Sequence, residues 1–202
     1  VIFSFINGLL KDKDINMRTV IKKALPLLAV VALPLPLFAA PTVTFQGEVT
    51  DQTCEVQVNG HTDSVVLLPT VSFLDFGTQL ATGQSAGQTP FTVSVKNCQA
   101  PTAGPASITT NFLGYNVDST GVLGNSYSGT DAAAGFGIQL MDSGSGGTEI
   151  RLSGVTPGKG LCLSVVQTEA SYASGARYFV TDAAHATAGK STGTADYTPS
   201  YL

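Results

Sequence analysis

Three groups of residues have types and spacings that could do chemistry. Ser85 stands in Gly83-Gln84-Ser85-Ala86-Gly87, the G-x-S-x-G spacing that in serine hydrolases exposes a nucleophile on a sharp turn between a strand and a helix. Thr89-Pro90 and a strand-like run follow instead of a helix. A triad would also need Asp and His downstream, and the one histidine after Ser85 is His185, with Asp182 nearby. A secreted serine hydrolase is the remote reading; a flexible Gly and Ser turn is the simpler one.

The second group is Asp142-Ser143-Gly144-Ser145-Gly146-Gly147, which lacks the acidic ligand spacing of a calcium loop and has the composition of a hairpin turn. The third is Cys54, Cys98 and Cys162 with His61, which follows the Asn59-Gly60 turn dipeptide. Two histidines and a bridged cysteine pair leave no zinc set. No Gly-rich phosphate loop stands at a strand-to-helix junction. The residues point to no catalytic, cofactor-binding or metal site, so the expected protein is not an enzyme and needs no cofactor.

The cysteines say more about compartment than about catalysis. Three cysteines allow three single bridges, and spacing alone does not choose between them. Cys54 and Cys98 each lie in a strand-like run, CEVQV and FTVSVKNC, which favours that pair; closing so long a loop would stabilise the fold by roughly 4 kcal/mol. Cys162, in GLCLSVV, is then expected to be a buried free thiol acting as a small hydrophobe, with an intermolecular bridge as the alternative.

Disulfides persist outside the cytoplasm, and the first part of the chain agrees. From Met17 the sequence reads MRTVIKKALPLLAVVALPLPLFAA, a basic stretch ahead of an apolar run that ends in small residues, which is the pattern of a secretory signal over 17–39. Pro26, Pro34 and Pro36 interrupt a run already short for a membrane span. Residues 1–16 read as a non-native upstream extension. Cleavage after Ala39 avoids placing Pro41 first. A cut after Ala32 would leave a longer, Pro-rich arm carrying Leu35 and Leu37. From Ala40 onward five basic residues face twelve acidic ones, a net charge of −7, which argues against nucleic-acid binding.

The elements that would position these residues are strands. The chain of 202 residues has no Trp, 22 Gly and 10 Pro, and only 12% of it is charged, against about 25% in ordinary soluble domains. That composition favours an all-β domain over a helical one, with helix favoured nowhere beyond the leader. Val43, Phe45 and Val49 alternate with polar residues in Pro41 to Val58, which predicts a strand near the start of the exported chain. A hairpin is predicted through Asn59-Gly60, with Ser64 to Leu68 as its second strand. Phe73 to Gly77 reads as a short strand or turn, and Ala81 to Pro90 as a loop. Further strands are predicted at Phe91 to Cys98, Ala106 to Phe112, Gly135 to Met141, Glu149 to Leu152, Gly160 to Gln167 and Ala176 to Thr181. Short strands at this spacing, bounded by turn residues, suggest a sandwich. The last segment alternates Ala195, Tyr197, Pro199 and Tyr201 with polar residues, and Pro199 marks it as an edge strand or a bulge.

Five of these segments together resemble a family. They are TFQGEVTDQTCEV at Thr44 to Val56, FTVSVKNC at Phe91 to Cys98, GFGIQLMD at Gly135 to Asp142, ARYF at Ala176 to Phe179, and the terminal strand with Tyr201 second to last. In this order they resemble the major-type subunits of bacterial chaperone–usher fimbriae, the type 1 and P pilins.

The resemblance implies an incomplete immunoglobulin-like sandwich over 51–202, completed by a donor strand from a neighbouring subunit. It implies that 40–50 is the donor extension, with Val43, Phe45 and Gly47 in the donor strand. Tyr197, Pro199, Tyr201 and Leu202 would form the groove and chaperone-binding strand, with the Leu202 carboxylate held by basic residues of a periplasmic chaperone. An outer-membrane usher would then join the subunit to identical or related subunits, and the fibre would stand at the cell surface. The implied function is that of a structural subunit of an adhesive fimbria; a minor adaptor or adhesin subunit of the same fibre is the alternative. Pro199 departs from the family, which more often has an apolar residue able to donate to the ladder at that position.

Overall fold

Alternation of apolar and polar residues builds most of this protein, and its strands pair antiparallel throughout. The computed structural model describes residues 54–201; the expectations for 1–16, 17–39, the donor segment with Val43, Phe45 and Gly47, and Leu202 lie outside the described residues. The strands are β1 (Glu55–Val58), β2 (Ser85–Lys96), β3 (Ala106–Gly114), β4 (Leu123–Gly124), β5 (Phe136–Met141), β6 (Glu149–Ile150), β7 (Val155–Leu163), β8 (Ala170–Val180) and β9 (Ala195–Tyr201). They form two sheets, one in the order β1-β2-β8-β5-β4 with β6 on β5, the other in the order β7-β3-β9. The all-β sandwich read from the sequence is the observed fold.

The core lies between the sheets. Val93 and Val95 of β2, Ile108 and Phe112 of β3, Ile138 and Leu140 of β5, and Leu161 and Leu163 of β7 are buried in one cluster. Within β2 the inward valines alternate with Thr92, Ser94 and Lys96, so one strand face supplies core and the other meets solvent or neighbouring strands. Cys54 and Cys98 are bridged across 44 residues, fastening the start of β1 to the end of β2. This is the pair that the strand-like runs favoured.

Several elements depart from the sequence reading, each for a physical reason. Ala81 to Pro90 looked like a loop, yet β2 already begins at Ser85. An extra residue between Ala86 and Thr89 makes a bulge opposite β8, and Gly87 sits there at φ +69°, where a Cβ would come within 2.8 Å of Val71. Gly and Ser composition here marks a bulged strand. β7 starts at Val155, five residues before the expected Gly160, and its own bulge lies between Pro157 and Gly160 opposite β3. At Gly158 a Cβ would meet Phe112, the Tyr172 hydroxyl and the Thr110 carbonyl at 2.7 to 3.0 Å.

The predicted hairpin stops almost as soon as it turns. Asn59 and Gly60 have φ of +50° and +82°, and Val58 and His61 exchange backbone hydrogen bonds of 2.9 and 3.0 Å across them, a two-residue turn of the kind that joins antiparallel strands. Beyond His61 the chain leaves the sheet, and 64–68 pairs with no strand among the described residues. Phe73–Phe76 is a 3-10 turn where a short strand or turn was expected. Ser72 donates from its backbone N–H and its hydroxyl to the Asp75 carboxylate, at 2.5 and 3.0 Å. Those bonds hold the Asp75 carboxyl below the usual range.

Cys162 is corrected outright. It is exposed, not buried, because Leu161 and Leu163 take the inward positions of β7 and strand alternation turns the residue between them outward.

Candidate functional site

The serine motif does not assemble. Ser85 opens β2 opposite Phe179 of β8, and the Gly83 N–H donates to the Val180 carbonyl at 2.8 Å, so the segment is a strand edge with no elbow. Asp182 and His185 do pair, their Oδ2 and Nδ1 2.7 Å apart, but in an exposed 3-10 turn (Ala183–His185) where Asp182 also caps Ala184. The bond from His185 holds the Asp182 carboxyl below its ordinary range. Thr82, not Ser85, touches this turn, its hydroxyl accepting from the Ala183 N–H at 3.0 Å. No hydrogen bond joins Ser85 to His185 among the described residues. The Asp142 loop closes on itself as a turn, with Asp142 Oδ1 accepting from the Thr148 N–H at 2.7 Å. Among the described residues no group of three or more His, Cys, Asp or Glu converges on a metal position.

A different feature gathers functional character: an apolar groove on the open side of the sandwich. One wall is β9 with the residues leading into it, from Ser191 to Tyr197. The other is 64–68, which runs extended with Ser64, Val66 and Leu68 turned inward while Val65 and Leu67 are 79% and 82% exposed. The floor is core: Phe91, Phe112, Leu123, Ile138, Leu140 and Ala176, with a volume of about 460 Å³ above it. β3 is the strand partner of β9 among the described residues, and β9 borders this groove at Ala195 and Tyr197.

Two tyrosines of β9 bond to the chain on either side of β1. The Tyr197 hydroxyl donates to the carbonyl of Thr62, and the Tyr201 hydroxyl accepts from the Cys54 N–H at 3.0 Å. Burial, and then the Asp63 carboxylate, push the Tyr197 hydroxyl above its ordinary pKa. Pro199 stands opposite Thr110 of β3, on the strand at the end of its sheet where a residue without an N–H is tolerated. Beside the groove lies a second cavity of about 630 Å³ bounded by Phe73, Phe76, Phe136, Tyr127 and Tyr178, with Lys190 at its rim.

The sequence places Tyr197, Pro199 and Tyr201 together on one strand, and the structure does the same. It missed the opposite wall. The signal was the run Ser64-Val65-Val66-Leu67-Leu68 itself, apolar at both inward and outward positions, which a hairpin strand with one solvated face does not need.

The family model described as fimbrial protein matches residues 43–201. The chain belongs to the fimbrial protein family. It is 38% identical to the major fimbrial subunit SMF-1 of Stenotrophomonas maltophilia over 61% of this chain and 69% of that protein. To the minor fimbrial subunit HifD of Haemophilus influenzae it is 32% identical, over 88% of this chain and 81% of that one. Among solved structures it is similar to the type I fimbria protein BPSL1626 of Burkholderia pseudomallei, with 23% identity, TM-score 0.48, and coverage of 74% and 99% of the two chains. The chain is thus a structural, non-enzymatic subunit of a cell-surface fimbrium, from a family with both major and minor members.

Proposed function

We propose that this subunit polymerises by strand addition. Its groove accepts an extended segment from a neighbouring copy, and its own residues 40–50 are the segment given to the next, with Val43 and Phe45 supplying the inserted side chains and Gly47 lying close to the backbone of the acceptor. The observation that carries this reading is the apolar groove between 64–68 and an edge strand. An extended peptide there gains main-chain hydrogen bonds from the edge and apolar burial from the floor.

The same groove supports the delivery steps. An exported chain that exposes an apolar channel beside a strand edge is prone to unwanted pairing, so a periplasmic chaperone would cover the groove, holding the Leu202 carboxylate, until an outer-membrane usher exchanges it for the donor. Residues 17–39 would direct export, 1–16 would be foreign to the exported protein, and 51–202 would be the pilin domain. A minor place in the fibre is the second reading, favoured by likeness to a minor subunit across most of the chain.

The test is Phe45→Asp. A carboxylate in place of an inserted ring costs several kcal/mol to bury unpaired, so fibres should disappear from the cell surface by electron microscopy while the complex with the chaperone is still recovered. Normal fibres from this variant would sink the reading.

A further inference from the structure

Tyr197 belongs to one wall of the groove and is hydrogen-bonded to the residues that lead into the other. Its ring packs against the core cluster, and its hydroxyl donates to the Thr62 carbonyl, with the His61 carbonyl 3.5 Å away. These two residues lead directly into 64–68. The bond therefore ties β9 to the beginning of the opposite wall. It does so where the open channel ends, since on the β9 side the channel is bounded from Ser191 to Tyr197.

We propose that Tyr197 is the gate of the groove: in the free subunit its hydroxyl occupies the Thr62 carbonyl and holds the two walls together, and a strand entering along β9 must first release it. This rests on the strand-addition reading above and adds a control point to it. Tyr197 is a positioning residue. It keeps the channel shorter than β9 itself and sets how fast a partner strand can lie down past that point. The raised pKa of the hydroxyl keeps its proton in place through neutral pH, so the donor role does not switch off there.

The molecule contains its own control. Tyr115 donates its hydroxyl to the Asp196 carboxylate, also on β9, but Asp196 is exposed on the face of that strand turned away from the groove. Removing either hydroxyl costs β9 one bond; only one of the two bonds reaches the segment that leads into the opposite wall.

The experiment follows uptake of a fluorescently labelled synthetic peptide of residues 40–53 by the purified, disulfide-bonded subunit; the protein has no Trp to interfere. Tyr197→Phe keeps the ring and should take up peptide roughly three- to tenfold faster, the factor one net hydrogen bond represents, while the bound peptide leaves no faster. Tyr115→Phe should match the parent protein. Equal rates for Tyr197→Phe and the parent overturn the gate, and so does equal acceleration by both variants, which would mean general loosening of β9. Because the parent protein is measured alongside, failure of the groove itself is distinguishable: no uptake by any of the three proteins removes strand addition, and the gate with it. Urea unfolding of each variant checks that all are folded, and if Tyr197→Phe is not, amide exchange at 62–68 in the parent protein with and without peptide decides, faster exchange at the Tyr197 crossing on peptide addition being required.

Discussion

The three-stranded sheet has two ends, and they are built in opposite ways. At the β7 end, Pro157 and Lys159 are exposed, a bulge breaks the register against β3, and Gly158 is pinned over Tyr172. A proline without an N–H, a charge and a twist are each obstacles to another chain adding there. At the β9 end, Ala195 and Tyr197 face an apolar channel whose far wall also lies extended. One end of the sheet is blunted and the other left receptive. On the strand-addition reading, the difference teaches how this sheet can be sticky in a single direction: open at one end and blunted at the other, it extends a line instead of spreading.

Breaking the receptive end should have the largest effect. Deleting Tyr201 and Leu202 removes the hydroxyl that accepts from Cys54 and the half-buried ring that carries it. The isolated subunit should lose about 2–4 kcal/mol, read as a lowered urea midpoint, and the complex with the chaperone should vanish on co-purification. A soluble, stable subunit after this deletion would remove the groove's claim to be the functional end.

Unblocking the other end sharpens the contrast. Pro157→Val together with Lys159→Val restores an N–H and removes a charge from β7 without touching the groove. Light scattering at rising concentration should then show self-association beyond that of the parent protein. If the double variant associates no more than the parent does, the bulge alone is enough to blunt this edge.

The smallest effect concerns the approach to the channel. The Lys190 ammonium, and then the Tyr127 hydroxyl, hold the exposed Asp131 carboxyl below its ordinary range, and the Asp131 carbonyl accepts from the Lys190 N–H at 2.8 Å. A carboxylate with a lowered folded pKa contributes stability above its unfolded value and loses it as pH falls through the folded one. Asp131→Asn should therefore flatten the acid side of the Tm–pH curve slightly and leave peptide uptake unchanged, a modest result suited to a solvent-exposed pair.

Much of the fold was legible because alternation is a local signal. Phe91, Val93 and Val95 announce β2, and Ala195, Tyr197 and Pro199 announce β9, since one face of each meets the core. The Cys54–Cys98 bridge followed from two such runs. What stayed hidden depends on contacts distant in sequence. Ala81 to Pro90 reads as a loop until Gly87 is placed against Val71 and Tyr178. The apolar run at Ser64 to Leu68 shows an extended segment but not which sheet it faces, so the groove had one visible wall. Cys162 was misplaced because the thiol was weighed by its residue type and not by its neighbours: Leu161 and Leu163 on either side take the inward positions and turn it outward.

That outward thiol has a practical use. Cys162 is the cysteine outside the bridge, exposed on β7 with β3 between it and the receptive strand. A probe attached there would lie off the groove on every copy, at an identical position from subunit to subunit. Energy transfer between such probes would measure the repeat distance and twist of the assembled fibre from a single unmodified sequence.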